Sequence, residues 1–125
     1  MSAPRILVAD DSRAVTLLIE RSLQSMGWEI VTVHDGMQAL VEGLTGKYDL
    51  AFLDHFMPVL LGVEILERWH DAGLDLPTII LSGLDDDDMA VRCLELGAVD
   101  FLRKPFNTKE LQSRAKVQLT RRLTA

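Results

Sequence analysis

Short apolar runs and longer amphipathic stretches alternate five times along this chain, and no other feature constrains its fold so tightly. The runs are RILVA (5–9), EIVTV (29–33), DLAFL (49–53), PTIIL (77–81) and VDFL (99–102). They are rich in leucine and β-branched residues and almost continuously apolar, as strands buried on both faces of a parallel sheet are. Residues 12–26, 36–45, 62–72, 86–96 and 107–122 instead carry apolar residues at helical spacing. The first stripe is Val15, Leu18, Ile19, Leu23 and Met26, the second Ala39, Leu40 and Leu44, the third Val63, Leu66 and Trp69. The fourth is Ala90, Cys93 and Leu94, and the last, a weaker one, is Leu111, Ala115 and Leu119. Gly27, Gly46, Gly73 and Gly97 stand where the first four helices should stop. Asp35 is a candidate N-cap for the second helix, and Asp11 or Ser12 for the first.

Strict βα alternation predicts an α/β fold with right-handed crossovers. Five strands in one open, doubly wound parallel sheet suggest the flavodoxin-like order 2-1-3-4-5. The five units use all 125 residues, so a single domain over 1–125 is expected. No apolar run reaches the ~18 residues of a membrane span, so no membrane partner is expected. The N-terminus lacks a signal pattern, and the one cysteine, Cys93, has no partner for an internal disulfide; both point to a cytoplasmic protein. The net charge of −6 argues against direct binding of nucleic acid. It is unevenly spread: residues 1–100 hold 18 acidic and 6 basic side chains, residues 101–125 one acidic and seven basic. The basic end reads as the solvated face of the last helix, or as an electropositive docking edge.

Open α/β sheets place their sites beyond the carboxyl ends of the strands, near the reversal in strand order. Here the first strand ends in Asp10-Asp11, the third in Asp54, the fourth in Ser82, and the fifth leads into Lys104-Pro105. Three carboxylates, one hydroxyl and one ammonium would converge on one edge. Carboxylates packed together repel unless a cation joins them. Magnesium is the natural one, since it takes oxygen ligands and keeps several waters. With an adjacent lysine it is poised to hold a phosphoryl group. A central aspartate can then act as nucleophile and form an acyl phosphate. In this reading Asp54 attacks, Asp10 and Asp11 hold the metal, and Ser82 donates to a phosphoryl oxygen.

These residues resemble a family. Asp10-Asp11 follow an apolar strand, and Leu53-Asp54-His55-Phe56-Met57-Pro58 is followed by Gly62. Ser82 precedes a small Gly83, and the last signature reads Gly97-Ala98-Val99-Asp100-Phe101-Leu102-Arg103-Lys104-Pro105-Phe106. In this order and spacing they resemble the receiver domain of bacterial two-component response regulators, over essentially the whole chain. The resemblance implies a phosphoacceptor switch, not an enzyme turning over a metabolite. It implies that Asp54 accepts a phosphoryl group from a phosphohistidine on a histidine kinase or phosphotransfer protein. Mg2+ would be held by Asp11 directly, by Asp10 mostly through water, by Asp54, and by the Phe56 backbone carbonyl. Lys104 would pair with the acceptor and then with the phosphoryl group, and Lys104–Pro105 would be a cis peptide. Ser82 and Phe101 would form a switch pair that passes the change to a downstream protein.

Several positions depart from the family's habits or invite other readings. Phe56 and Leu84, two residues past the acceptor and two past the hydroxyl, are apolar where groups able to orient water are frequent. Slow self-dephosphorylation is therefore expected. Leu60-Leu61 read as local packing or as an exposed contact. Asp85-Asp86-Asp87-Asp88 read as a helix cap, with a cation site as the lesser reading. His34, His55 and His70 lack ligand spacing for zinc, and no glycine-rich phosphate loop is present. The fourth helix, fifth strand and fifth helix form the family's usual output surface. Asp100, Glu110, Arg114 and Arg121 match charges that some relatives use in dimers. Ala90 and Val99 would leave two such pairs incomplete, so a homodimer of that kind is admitted but not favoured. Two alternatives of other classes are a Mg2+-dependent aspartate-nucleophile phosphohydrolase and a flavin-binding carrier of the same topology.

Overall fold

A computed structural model describes residues 3–83 and 87–124. The strands are β1 (Arg5–Ala9), β2 (Glu29–Val33), β3 (Leu50–Asp54), β4 (Thr78–Ser82) and β5 (Asp100–Arg103). The helices are α1 (Arg13–Gln24), α2 (Gly36–Leu44), α3 (Gly62–Asp71), α4 (Asp87–Glu95) and α5 (Thr108–Thr124). All strand pairs are parallel, in the order β2-β1-β3-β4-β5 expected from the alternation. The last three strands begin one residue later than their apolar runs. Thus Asp54 and Ser82 are paired strand residues held by the ladder, not the first residues of loops.

Strand alternation divides the core into two layers. Ile6, Val8, Leu50, Phe52, Ile79, Leu81 and Leu102 face α1 and α5, where they meet Ile19, Leu23, Leu111 and Ala115. Leu7, Ala9, Ala51, Leu53 and Ile80 face the other way, toward Leu40, Leu66, Trp69 and Cys93. The caps follow the sequence. The Ser12 hydroxyl accepts from Val15 N (3.3 Å) and Asp35 Oδ1 from Gln38 N (2.8 Å). The four glycines expected at helix ends all have positive φ.

Three expected core residues are exposed instead: Leu18, Leu44 and Leu94. On α1 the reason is visible. Small polar residues, Thr16 and Ser22, take the inward positions because they satisfy their hydroxyls on the helix's own carbonyls, of Arg13 (3.1 Å) and Leu18 (2.8 Å). The larger Leu18 is left at the edge of the stripe.

The loop after β3 is tightly held. Gly62 N donates back to His55 O (2.8 Å), and a Cβ on Gly62 would sit 2.9 Å from His55 Cα. Gly36 N, at the start of α2, donates to Pro58 O (2.9 Å), and a Cβ there would lie 2.5 Å from Leu60 O. Only glycine lets the chain approach so closely. Leu60 is buried by this contact and Leu61 is the N-cap of α3, so the packing reading of this pair holds. Between these anchors Leu60 N bonds Pro58 O (3.0 Å), which closes a three-residue turn on Val59 at φ +78°. A turn of this hand is rare and strained, and a β-branched residue suits it least. Val59 is 71% exposed, so its side chain gains little from burial. Val59→Gly should therefore raise the unfolding free energy by about 1 kcal/mol, the relief of strain less the entropy glycine loses. Urea denaturation measures this, and Val59→Ile should give no gain.

Candidate functional site

The strand faces determine which side chains meet at the carboxyl edge. Asp10 continues the alternation of Ile6 and Val8, Asp54 that of Leu50 and Phe52, and Lys104 that of Leu102. All three therefore emerge on the α1/α5 side. Lys104 Nζ lies 2.5 Å from Asp10 Oδ2 and 3.4 Å from Asp54 Oδ2. The sequence reading pairs Lys104 with the acceptor aspartate, but its nearer partner is Asp10. Asp10 is fully buried, and its other oxygen accepts from Ser12 N (2.9 Å), which ties it to the start of α1. Asp11 is exposed and brings a third carboxylate: oxygens of Asp10, Asp11 and Asp54 all lie within 4.8 Å of one another. No second such cluster occurs among the described residues.

Three carboxylates against one ammonium leave two surplus negative charges at a largely dry edge. Burial, then the neighbouring Asp10 charge, push the Asp54 carboxyl up from 3.8 to about 6; Lys104 and the Phe56 amide act against this. Burial would lower Lys104, but the hydrogen bond to Asp10 and the Asp54 and Asp10 charges prevail and raise it. Such an excess, presented as clustered oxygens beside an accessible rim, fits a divalent hard cation. The folded Asp54 holds its proton more tightly than the unfolded chain does. Its stability contribution is thus full below about pH 4 and is lost as pH rises through about 6. Asp54→Asn should therefore stabilise the metal-free protein at pH 7 by about 1–3 kcal/mol. Chemical denaturation in the presence of a chelator checks this, and the gain should vanish near pH 4.

Ser82 and Phe101 lie on the opposite side of the sheet. They continue the face of Ile80, toward α4, and β4–β5 register pairs Ile80 with Phe101 and Ser82 with Arg103. Ser82 is buried, and Phe101 is partly buried against the core. Phe56 is 53% exposed at the rim, with its ring edge-on to buried His55 (centroids 4.5 Å apart). The Lys104–Pro105 peptide is cis, as the resemblance implied. Leu84 and Asp85-Asp86 lie outside the described residues, so the cap reading of the aspartate run is reached only at its end, where α4 starts at Asp87.

On the face of α4, β5 and α5, Arg114 Nη1 reaches both oxygens of Asp100 (2.9 and 2.8 Å), and its Nε reaches Glu110 Oε1 (3.3 Å). These charges, matched in sequence to contacts between copies, are engaged within one chain, while Val99 and Val117 are exposed beside them. Two features escaped the sequence reading. One is a shallow apolar groove of Val15, Leu18, Pro105 and Phe106 next to Lys104. The other is the Arg103 guanidinium, 5.8 Å from the centre of the Phe101 ring. The two-residue spacing of Phe101 and Arg103 on a strand was the available signal for the second.

Comparisons with known proteins agree with this geometry. The profile of the response regulator receiver domain matches residues 6–116. The alkaline phosphatase synthesis transcriptional regulatory protein PhoP of Bacillus subtilis is 36% identical over 117 residues, 94% of this chain and 49% of that protein. The transcriptional regulatory protein PrrA of Mycobacterium tuberculosis is 39% identical over 122 residues, 98% of this chain and 52% of that protein. This chain thus spans about half the length of these relatives. The receiver domain of the Francisella response regulator 1452 superposes with a TM-score of 0.88 at 33% identity, covering 94% of this chain and 98% of that one. A CheY-like response regulator receiver domain protein from Methanospirillum hungatei gives 0.92 at 26% identity, covering 98% of both. Neither the phosphohydrolase nor the flavin carrier gains support from these matches. Matched along nearly its whole length in sequence and in fold, the chain belongs to the response regulator receiver domain family.

Proposed function

We propose that Asp54 accepts a phosphoryl group from a phosphohistidine on a partner histidine kinase or phosphotransfer protein. The observation that carries this reading is the Asp10–Lys104–Asp54 cluster, with Asp11 at its rim. Asp10, Asp11, Asp54 and the Phe56 carbonyl would hold Mg2+. Bound there, Mg2+ supplies charge neutralisation for the phosphoryl oxygens during transfer. An Asp54 oxygen forms the new O–P bond as the N–P bond of the phosphohistidine breaks. The electron pair stays on the leaving imidazole nitrogen. Lys104, already between the two carboxylates, pairs with the incoming oxygens and keeps the transferred group oriented.

The groove of Val15, Leu18, Pro105 and Phe106 beside Lys104 suits an apolar helix carrying that phosphohistidine. Its exposed Leu18 is then a contact residue. After transfer the Ser82 hydroxyl would donate to a phosphoryl oxygen, and the Phe101 ring would turn toward the space beside it. The change would reach a downstream protein, or a second copy, through the face of α4, β5 and α5. In this role the chain catalyses only its own phosphorylation and dephosphorylation.

Incubation with acetyl phosphate and Mg2+ should add one phosphoryl group by intact-mass spectrometry. Asp54→Ala should abolish the adduct. An unlabelled wild type, under conditions that label another receiver domain, would remove the reading. Phe56 offers no group to orient an attacking water and its ring stands at the rim of the site. Phe56→Asn should therefore shorten the lifetime of the adduct several-fold, followed by the decay of the phosphorylated mass.

A further inference from the structure

Phe101 has a backbone tied to its neighbours and a ring that is only partly buried. Its amide donates to Asp100 Oδ1 (2.8 Å), and Asp100 is gripped through both oxygens by Arg114 of α5. Strand β5 is the last strand of the sheet, with no strand on its outer side among the described residues. The ring is thus only partly covered, between the core under α4 and the solvent. Arg103 follows two residues later, so its side chain leaves the strand on the same face. Its guanidinium carbon lies 5.8 Å from the ring centre, within the range of a cation–π contact. Register sets Arg103 directly opposite Ser82 and sets Phe101 opposite Ile80. The cation therefore covers the ring in its half-buried position, and register sets Arg103 beside Ser82, toward which the ring would turn.

We propose that Arg103 is a positioning residue that sets how the Phe101 ring divides its time between this half-buried position and a deeper, inward one beside Ser82. This rests on the switch role proposed above. The physical logic is a two-state side chain with one state favoured by a specific contact. An exposed cation–π contact changes such a balance by about two- to fivefold. By linkage, a ligand that favours the inward ring binds more tightly, by up to the same factor, once that contact is lost. Arg103 thus acts as a brake on phosphorylation-driven switching, through the ring and not through the metal or the phosphoryl group.

The test uses the full chain with 4-fluorophenylalanine placed at position 101 and beryllofluoride as the phosphoryl mimic. Fluorine NMR of the wild type, titrated with Mg2+ and beryllofluoride, defines the inward end point. Without ligand, Arg103→Ala should move the ring signal toward that end point, with the population ratio changed about two- to fivefold. It should tighten beryllofluoride binding by no more than this factor and leave Mg2+ affinity unchanged. Arg103→Lys should lie nearer the wild type because it keeps a cation, and Arg103→Gln should follow alanine. An Arg103→Ala signal at the wild-type shift would overturn the inference. So would an equal change in Mg2+ affinity, since that would mean a general loss of positive charge near Lys104. Failure of the wild type itself to bind beryllofluoride would instead sink the phosphoacceptor reading on which the inference stands.

Discussion

One ammonium, Lys104, sits between two buried carboxylates, and a third carboxylate stands at the rim. Much of the fold follows from keeping that arrangement in place. Like charges in a dry site separate unless their backbones are fixed. Here each comes from a different element whose position is overdetermined. Asp10 is bonded to the start of α1, Asp54 closes a fully buried central strand, and Lys104 follows β5, with its own amide bonded to Ser82 O (2.8 Å). The parallel ladder brings these strand ends to a common edge. The two apolar layers on either side hold the ladder against the repulsion it gathers. Burial first, and the Asp10 charge second, raise the Asp54 carboxyl, and the surplus of negative oxygens fits a divalent cation, which in turn would offset the charge of phosphoryl oxygens.

The same edge has a division of labour set by the alternation of side chains. Asp10, Asp54 and Lys104 lie on the α1/α5 side, where the apolar groove beside Lys104 opens to solvent. Ser82, Phe101 and Arg103 lie on the α4 side. In the proposed function, chemistry enters on one side of the sheet and its consequence leaves on the other. Asp54 and Ser82 connect the two because they end adjacent strands. The loop after β3 adds a third element. It is pinned by Gly36, Leu60 and Gly62, and it carries a strained turn at Val59 rather than relaxing away from the acceptor. The strained turn stands in the same loop whose Phe56 amide hydrogen-bonds the Asp54 carboxylate.

Most of the architecture was legible in the sequence because its causes are local. Apolar runs of four or five residues, helical stripes, Ser12 and Asp35 as caps, and glycines at helix ends each depend on near neighbours. Strict alternation then leaves few topologies, so the order β2-β1-β3-β4-β5 and the identities of Asp10, Asp11, Asp54, Ser82 and Lys104 at the strand ends could be read in advance. Leu18, Leu44 and Leu94 could not be placed the same way. An apolar residue at the margin of a helical stripe is buried or exposed according to what packs across from it, and on α1 Thr16 and Ser22 took the inner places.

What the sequence alone determined, then, is the set of elements, their order and the chemistry waiting at their ends. Only the tertiary structure decided which of those groups touch. Register, a relation between residues far apart in the chain, put Arg103 opposite Ser82, while the meeting of strand ends gave Lys104 to Asp10 more closely than to Asp54 and the packing of α5 brought Arg114 onto Asp100. A shift of one residue in the β4–β5 ladder would have sent Phe101 and Arg103 to the other face of the sheet, with the local sequence unchanged.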